Sequence, residues 1–217
     1  QLNRDINTIP RDIPSPALDA ARICILDSGV NGNHPLLKSA MGESASFIDE
    51  EGEADEAGHG TAVAGVVLYG DVEACNSSNF WQPELWIYSG KVMKKCPHTG
   101  DAVYDELTLE ASLTKAVEHF VNLGCRIFNL SLGNSNAPYD GAHIRGLAYI
   151  LDVLSRRHNI LFVVSTGNFR GSENPPVPVK SWRDEYPEYL IAEQSAIIDP
   201  APAMNVLTVG SISRHNS

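Results

Sequence analysis

Arg22-Ile23-Cys24-Ile25-Leu26-Asp27-Ser28-Gly29 sets an unbroken apolar run against an acid and a turn. Four consecutive apolar residues are too few for a helix, and the Asp-Ser-Gly stop reads as the exit of a buried strand. Outward from it, His59 to Leu68 reads as a buried helix rich in small residues, and Leu85 to Met93 as a strand. Leu107 to Leu123 places Leu109, Leu113, Val117, Phe120 and Val121 at helical spacing, with Gly124 as its stop. Arg126 to Leu132 is a further apolar strand, Ile144 to Arg157 a helix, and Ile160 to Ser165 and Val206 to Val209 are strands. Strands alternating with helices predict an α/β fold, a doubly wound and mostly parallel sheet with helices on both faces. Sites in such sheets gather at the carboxyl ends of strands. Asp27, Ser131-Leu132-Gly133 and Ser165-Thr166-Gly167-Asn168 all fall at such ends.

The composition narrows the function classes. The 217 residues carry a formal net charge of −11, with 43% hydrophobic and 20% charged residues. So negative a surface repels phosphate, which argues against nucleic acid and anionic membrane as partners. No run reaches the ~18 apolar residues of a membrane span. The opening Gln1-Leu2-Asn3-Arg4-Asp5 has no apolar signal region. Cys24 and Cys125 sit in apolar segments, while Cys75 and Cys96 sit in polar ones, where a Cys75–Cys96 disulfide stays open. Absent any CxxC, unpaired thiols favour a reducing, cytoplasmic setting. Seven acids and no base occupy residues 43 to 56, which reads as a solvated loop or a cation or basic-substrate site.

Three local patterns carry chemistry: Asp27-Ser28-Gly29 after a strand, His59-Gly60-Thr61 at a helix start, and Ser165-Thr166-Gly167-Asn168 after a strand. Singly, each is also an ordinary turn or cap. Together and in order, they resemble the subtilisin-like serine proteases, the subtilases. The resemblance rests on Ile25 to Val30 with His34-Pro35-Leu36, then Gly58-His59-Gly60-Thr61-Ala62-Val63-Ala64-Gly65. It continues in Asn129-Leu130-Ser131-Leu132-Gly133, Val164 to Asn168, and Val206-Leu207-Thr208-Val209-Gly210. These blocks span residues 22 to about 213.

The resemblance implies a serine endopeptidase in which Asp27 is the triad acid and His59 the general base. Asn168 matches the side-chain donor of the oxyanion hole. Ser131, Leu132 and Gly133 match the strand beside which an extended substrate pairs. Ser165, Thr166 and Gly167 match the segment opposite, their small side chains leaving room for a substrate side chain. The family's Gly-Thr-Ser block is not among the 217 residues, so the chain reads as the N-terminal part of one catalytic domain, cut before its serine. That implies inactivity of the chain alone and a serine supplied from beyond it, a second chain being one source. It also predicts uncovered apolar surface at Leu26, Val63, Val66 and Leu130. Ala62 stands where many relatives have His. Residues 1–20 read as an extended arm and 171–203 as an inserted acidic and aromatic loop; 97–110 is lengthened too.

No metal site is assignable: the histidines form no HxH or HxxxH pair, although the loop carboxylates leave a structural calcium open. The alternative to a protease is an inert pseudoprotease or peptide-binding module using the same cleft. A nucleotide-binding doubly wound enzyme lacks support, because no GxGxxG or GxxxxGK[ST] follows any strand.

Overall fold

The computed structural model describes residues 12–167, 180–181, 183–191 and 196–210. The chain divides into two compact units, residues 1–129 and 130–217.

In the first unit the elements run β1 (Arg22–Asp27), β2 (Met41–Ser46), α1 (His59–Tyr69), α2 (Val72–Ser78) and β3 (Trp86–Lys91). They continue with β4 (Lys94–Lys95), β5 (Ala102–Val103), α3 (Leu109–Asn122) and β6 (Ile127–Leu130). β1 pairs in parallel with β3 on one side and with β6 on the other, and β2 adds in parallel outside β3. The chain therefore leaves β1 in one direction, through β2 and β3, and returns on its other side through α3 to β6. Where strand order reverses in this way, the crevice beyond the strand ends is left open, and β1 ends there in Asp27.

Side-chain alternation decides which helix each strand residue meets. Ile25 and Ile87 are fully buried in a cluster with Ala64 and Leu68 of α1. Leu26 points the other way, since a Cβ built on Gly90 would lie between Leu26 and Phe120 of α3. Asp27 thus returns to the α1 face, where His59 begins its helix. On α3 the buried residues Leu109, Leu113, Ala116, Val117 and Phe120 keep the spacing read from the sequence.

Several expectations need correction. Leu26 and Leu130 are fully buried, so neither offers apolar surface; Leu26 is covered by α3. Val66 is 58% exposed, as expected, and Val63 is half-buried. Residues 43–56 are not one solvated loop: Glu43 lies in β2 and pairs with His119 at 2.6 Å, and Asp55 is buried. The lengthened 97–110 segment contains β5, antiparallel to β4. Of the N-terminal arm, residues 1–11 lie outside the described residues. Ile13 is buried in the core cluster, and the Ala17 carbonyl accepts from the Trp86 indole at 2.8 Å. All four cysteines are free. Burial pushes the Cys24 and Cys125 thiols up, the latter to about 12.

In the second unit, β7 (Asn134–Pro138) pairs antiparallel with β9 (Ile198–Asp199), and β8 (Leu161–Ser165) pairs in parallel with β10 (Val206–Val209). α4 (Gly146–His158) lies between β7 and β8 in sequence. Its N-cap residue makes no side-chain cap. The exposed first N–H groups are met instead from a distance, by Asp199 accepting from Leu147 at 3.0 Å and Ala148 at 2.8 Å. From the middle of α4, Asp152 accepts from the N–H groups of Met204 and Asn205, pinning the approach to β10. The 171–203 segment is therefore more than an inserted loop, since its described part contains β9 and the cap of α4. Among the described residues no helix is long and apolar enough to cross a membrane.

Candidate active site

Asp27 is fully buried at the last position of β1, and His59 opens α1 with its side chain 40% exposed. The imidazole Nδ1 stands 2.7 Å from one carboxylate oxygen of Asp27 and 2.9 Å from the other. An ionised carboxylate has no proton to donate, so the proton of the neutral imidazole belongs on Nδ1. The lone pair then lies on Nε2. Asp27 is itself oriented by the N–H of Ser28, at 2.7 Å to Oδ1. Its backbone carbonyl accepts from Val92 at 2.8 Å and Met93 at 3.1 Å.

The meeting of these residues from different elements depends on two glycines. Gly29 has φ of +96°, and a Cβ there would sit 2.5 Å from the Glu53 carbonyl. Gly60, next to His59, docks so closely that a Cβ would stand 2.1 Å from the Gly29 carbonyl oxygen and 3.1 Å from the Asp27 Cβ. Helix α1 thus rests backbone to backbone on the turn after β1, close enough for the imidazole to reach the carboxylate.

Beneath the pair lies a polar layer that the sequence did not disclose. Asp55, 6% exposed, accepts from the Ser28 hydroxyl at 2.8 Å and from the N–H groups of Ala57 at 3.1 Å and Gly58 at 2.8 Å. Its other oxygen accepts from the Thr61 N–H at 2.9 Å and the Thr61 hydroxyl at 2.6 Å. Burial raises its pKa, but the bonds from Thr61, Ser28 and Gly58 outweigh that and hold it below the usual carboxylate value. Lys91 ends β3 in register with Asp27 and is 1% exposed. Its ammonium is satisfied by Glu51 and by the Ala54 carbonyl, each at 3.0 Å, which ties down the loop leading to Asp55. The sequence signals were present: a lone Lys in an apolar strand, and an Asp four residues before a helix-opening His.

Of the other expected site residues, Ser131, Leu132 and Gly133 follow β6, and Ser165 ends β8 with Thr166 and Gly167 just after it. Within the second unit these two segments share a neighbour, Ile198. Its side chain would lie 2.7 Å from a Cβ on Gly133 and 2.5 Å from one on Gly167, and its N–H reaches the Thr166 carbonyl at 3.4 Å. The small residues there do leave space, and an isoleucine of this chain occupies part of it. Asn168 lies outside the described residues. Among the described residues, no three His, Cys, Asp or Glu side chains gather as a metal site.

The peptidase S8 model, described as the subtilase family, matches residues 19–217. The chain belongs to the subtilase family. Among curated proteins this subtilase chain is 40% identical over 106 residues to the uncharacterized protein y4bN of Sinorhizobium fredii, covering 49% of this chain and 23% of y4bN. It is 28% identical over 200 residues to mycosin-4 of Mycobacterium tuberculosis, covering 88% of this chain and 41% of mycosin-4. The subtilase chain thus spans less than half the length of these curated relatives. The crystal structure of MycP1 with its N-terminal propeptide removed matches with a TM-score of 0.54 at 24% identity, over 88% of this chain and 57% of that one. That likeness shows the doubly wound, mostly parallel subtilase fold.

Proposed function

We propose that this chain is part of a subtilisin-type serine endopeptidase, in which His59 is the general base and Asp27 the acid that orients it. The observation that carries the reading is the Nδ1–carboxylate contact of 2.7 Å inside a chain that matches the family over residues 19–217. With Nδ1–H held by Asp27, Nε2 can take the proton of a serine hydroxyl as that oxygen attacks a peptide carbonyl. The buried carboxylate then stabilises the imidazolium, and the same nitrogen later protonates the leaving amine. The attacking serine is proposed to lie beyond these 217 residues, in the continuation of the same domain or on a second chain. Asn168 is proposed as the side-chain donor to the developing oxyanion, a role worth about 2.7–4 kcal/mol in the one case from which that figure comes, subtilisin.

Ser131-Leu132-Gly133 and Ser165-Thr166-Gly167 are proposed to flank the substrate. With Ile198 against both segments, the space for the residue before the scissile bond is shallow and suits small side chains. The substrates are peptides or proteins.

The test is made on the full-length protein. A fluorophosphonate should label one serine, a casein or peptide substrate should be cut, and His59→Ala should remove both signals. Residues 1–217 alone should show neither. A full-length protein that binds peptides without labelling or cutting them would instead be an inert module using the same cleft.

A further inference from the structure

We infer that Asp55 is a positioning residue of the dyad, clamping the chain on both sides of His59 and drawing the Ser28 hydroxyl proton away from Asp27. The inference rests on the dyad described above and goes beyond the assignment of its two members.

The clamp consists of three connections. One oxygen of Asp55 holds the N–H groups of Ala57 and Gly58, the two residues before His59. The other holds the N–H and hydroxyl of Thr61, two residues after it. A third connection runs through Ser28, the residue that follows Asp27. A single carboxylate therefore fixes the segment carrying the base and touches the turn carrying the acid. Its own place is secured by the buried Lys91, which holds Glu51 and Ala54 just upstream.

Five donors converge on Asp55, and only an ionised carboxylate accepts from all of them. An asparagine in the same pose would turn a donating NH₂ toward the Thr61 donors or toward those of Ser28, Ala57 and Gly58. Either orientation opposes donor to donor.

The Ser28 proton links Asp55 to the acid. The Ser28 hydroxyl oxygen accepts from the Gly60 N–H at 3.1 Å, and its single proton has two candidate acceptors. Asp55 Oδ1 is at 2.8 Å and Asp27 Oδ1 at 3.2 Å. The shorter contact to an ionised acceptor takes the proton. The Asp27 carboxylate then accepts from the Ser28 N–H and the imidazole, and its negative charge acts on His59 undiluted by the hydroxyl. Without the Asp55 carboxylate, the Ser28 proton turns to Asp27 and competes with the imidazole. The charged groups along this loop are Asp49, Glu50, Glu53, Asp55, Glu56 and the Glu51–Lys91 pair, with Asp27 and His59 at the strand and helix ends beside it. Losing the Asp55 charge weakens the field favouring an imidazolium, and redirecting the Ser28 proton does the same.

The experiment titrates the His59 imidazole by NMR in the full-length protein, alongside kcat and KM. Asp55→Asn should lower the His59 pKa by about one unit, a tenfold change in proton affinity. It should also lower kcat by about 10- to 100-fold with KM within about twofold, because the loss is one of alignment and basicity. Asp71→Ala, which removes the cap of α2, serves as the control for a purely structural loss and should leave the titration and kcat unchanged. A folded Asp55→Asn protein whose His59 titrates as in the wild type would overturn the inference. Ser28→Ala decides the matter should Asp55→Asn fail to fold. With the hydroxyl proton on Asp55, the His59 pKa should move by less than about 0.3 unit; a rise of about one unit would place that proton on Asp27 and overturn the inference. The titration is read whether or not the protein cuts peptides, so failure of the protease reading and failure of this one are distinct outcomes.

Discussion

Gly60→Ala tests the claim that backbone contact sets the dyad. The added methyl would stand 2.1 Å from the Gly29 carbonyl oxygen, and neither partner is a flexible side-chain end that can swing aside. Relief to about 3 Å requires α1 and the turn after β1 to separate by about 1 Å. The turn has little freedom to retreat, because Gly29 itself packs against the backbone at Glu53 to Asp55. If α1 makes the move, the Nδ1–carboxylate distance grows from 2.7 Å to about 3.7 Å, beyond hydrogen-bonding range. Overpacking of this kind costs about 1–3 kcal/mol of stability, and a misplacement of about 1 Å costs roughly 100-fold in rate. Urea unfolding followed by circular dichroism measures the first, and kcat/KM of the full-length protein on a peptide substrate measures the second. A neighbouring glycine supplies the control. Gly65, also in α1, has open space for 4 Å around the point where an added Cβ would lie, so Gly65→Ala should be neutral or slightly stabilising. Stability within about 0.5 kcal/mol of wild type together with unchanged kcat/KM in Gly60→Ala would refute the close-docking argument.

Ile198→Ala should deepen the space between Gly133 and Gly167, raising kcat/KM for peptides with Leu or Phe before the scissile bond relative to Ala by about 10-fold or more; a matched-peptide series checks it. Asp55, held below its ordinary value of 3.8, binds a proton less readily when folded than when unfolded. Its stabilisation is therefore fully present well above pH 3.8 and is lost as pH falls through the lower folded-state value. Urea midpoints between about pH 5 and about pH 3 should fall more steeply for the wild type than for Asp55→Asn. Asp199→Ala removes the distant cap of α4 and should cost about 1 kcal/mol, read from the same urea titration. Lys91→Met should destabilise by about 2 kcal/mol, because Glu51 and the Ala54 carbonyl lose a buried partner.

The local pattern of the chain was enough to place the strands ending at Asp27, Ser165 and Val209 and the helices opening at His59 and Leu109, because short apolar runs mark the strands, a run of small apolar residues the first helix, and a 3.6-residue apolar period the helix from Leu109. Asp27 and His59 were nominated by the order of several such blocks along the chain, which resembles the subtilases, since Asp-Ser-Gly or His-Gly-Thr taken singly is an ordinary turn or cap. The short elements were not legible. β2 (Met-Gly-Glu-Ser-Ala-Ser) has no alternating pattern and exists by pairing beside β3, and β9 is two residues made a strand by pairing with β7. Asp55 lay in an acid-rich run that reads as solvated, and only folding of that run against Gly29, Ser28 and Thr61 removes it from water. Burial and donor convergence are properties of several segments at once, as is the filling of the Gly133–Gly167 space by Ile198. Sequence order records which groups a chain owns and their local period; which polar group is desolvated, and by whom it is satisfied, is decided by contacts between residues far apart along the chain.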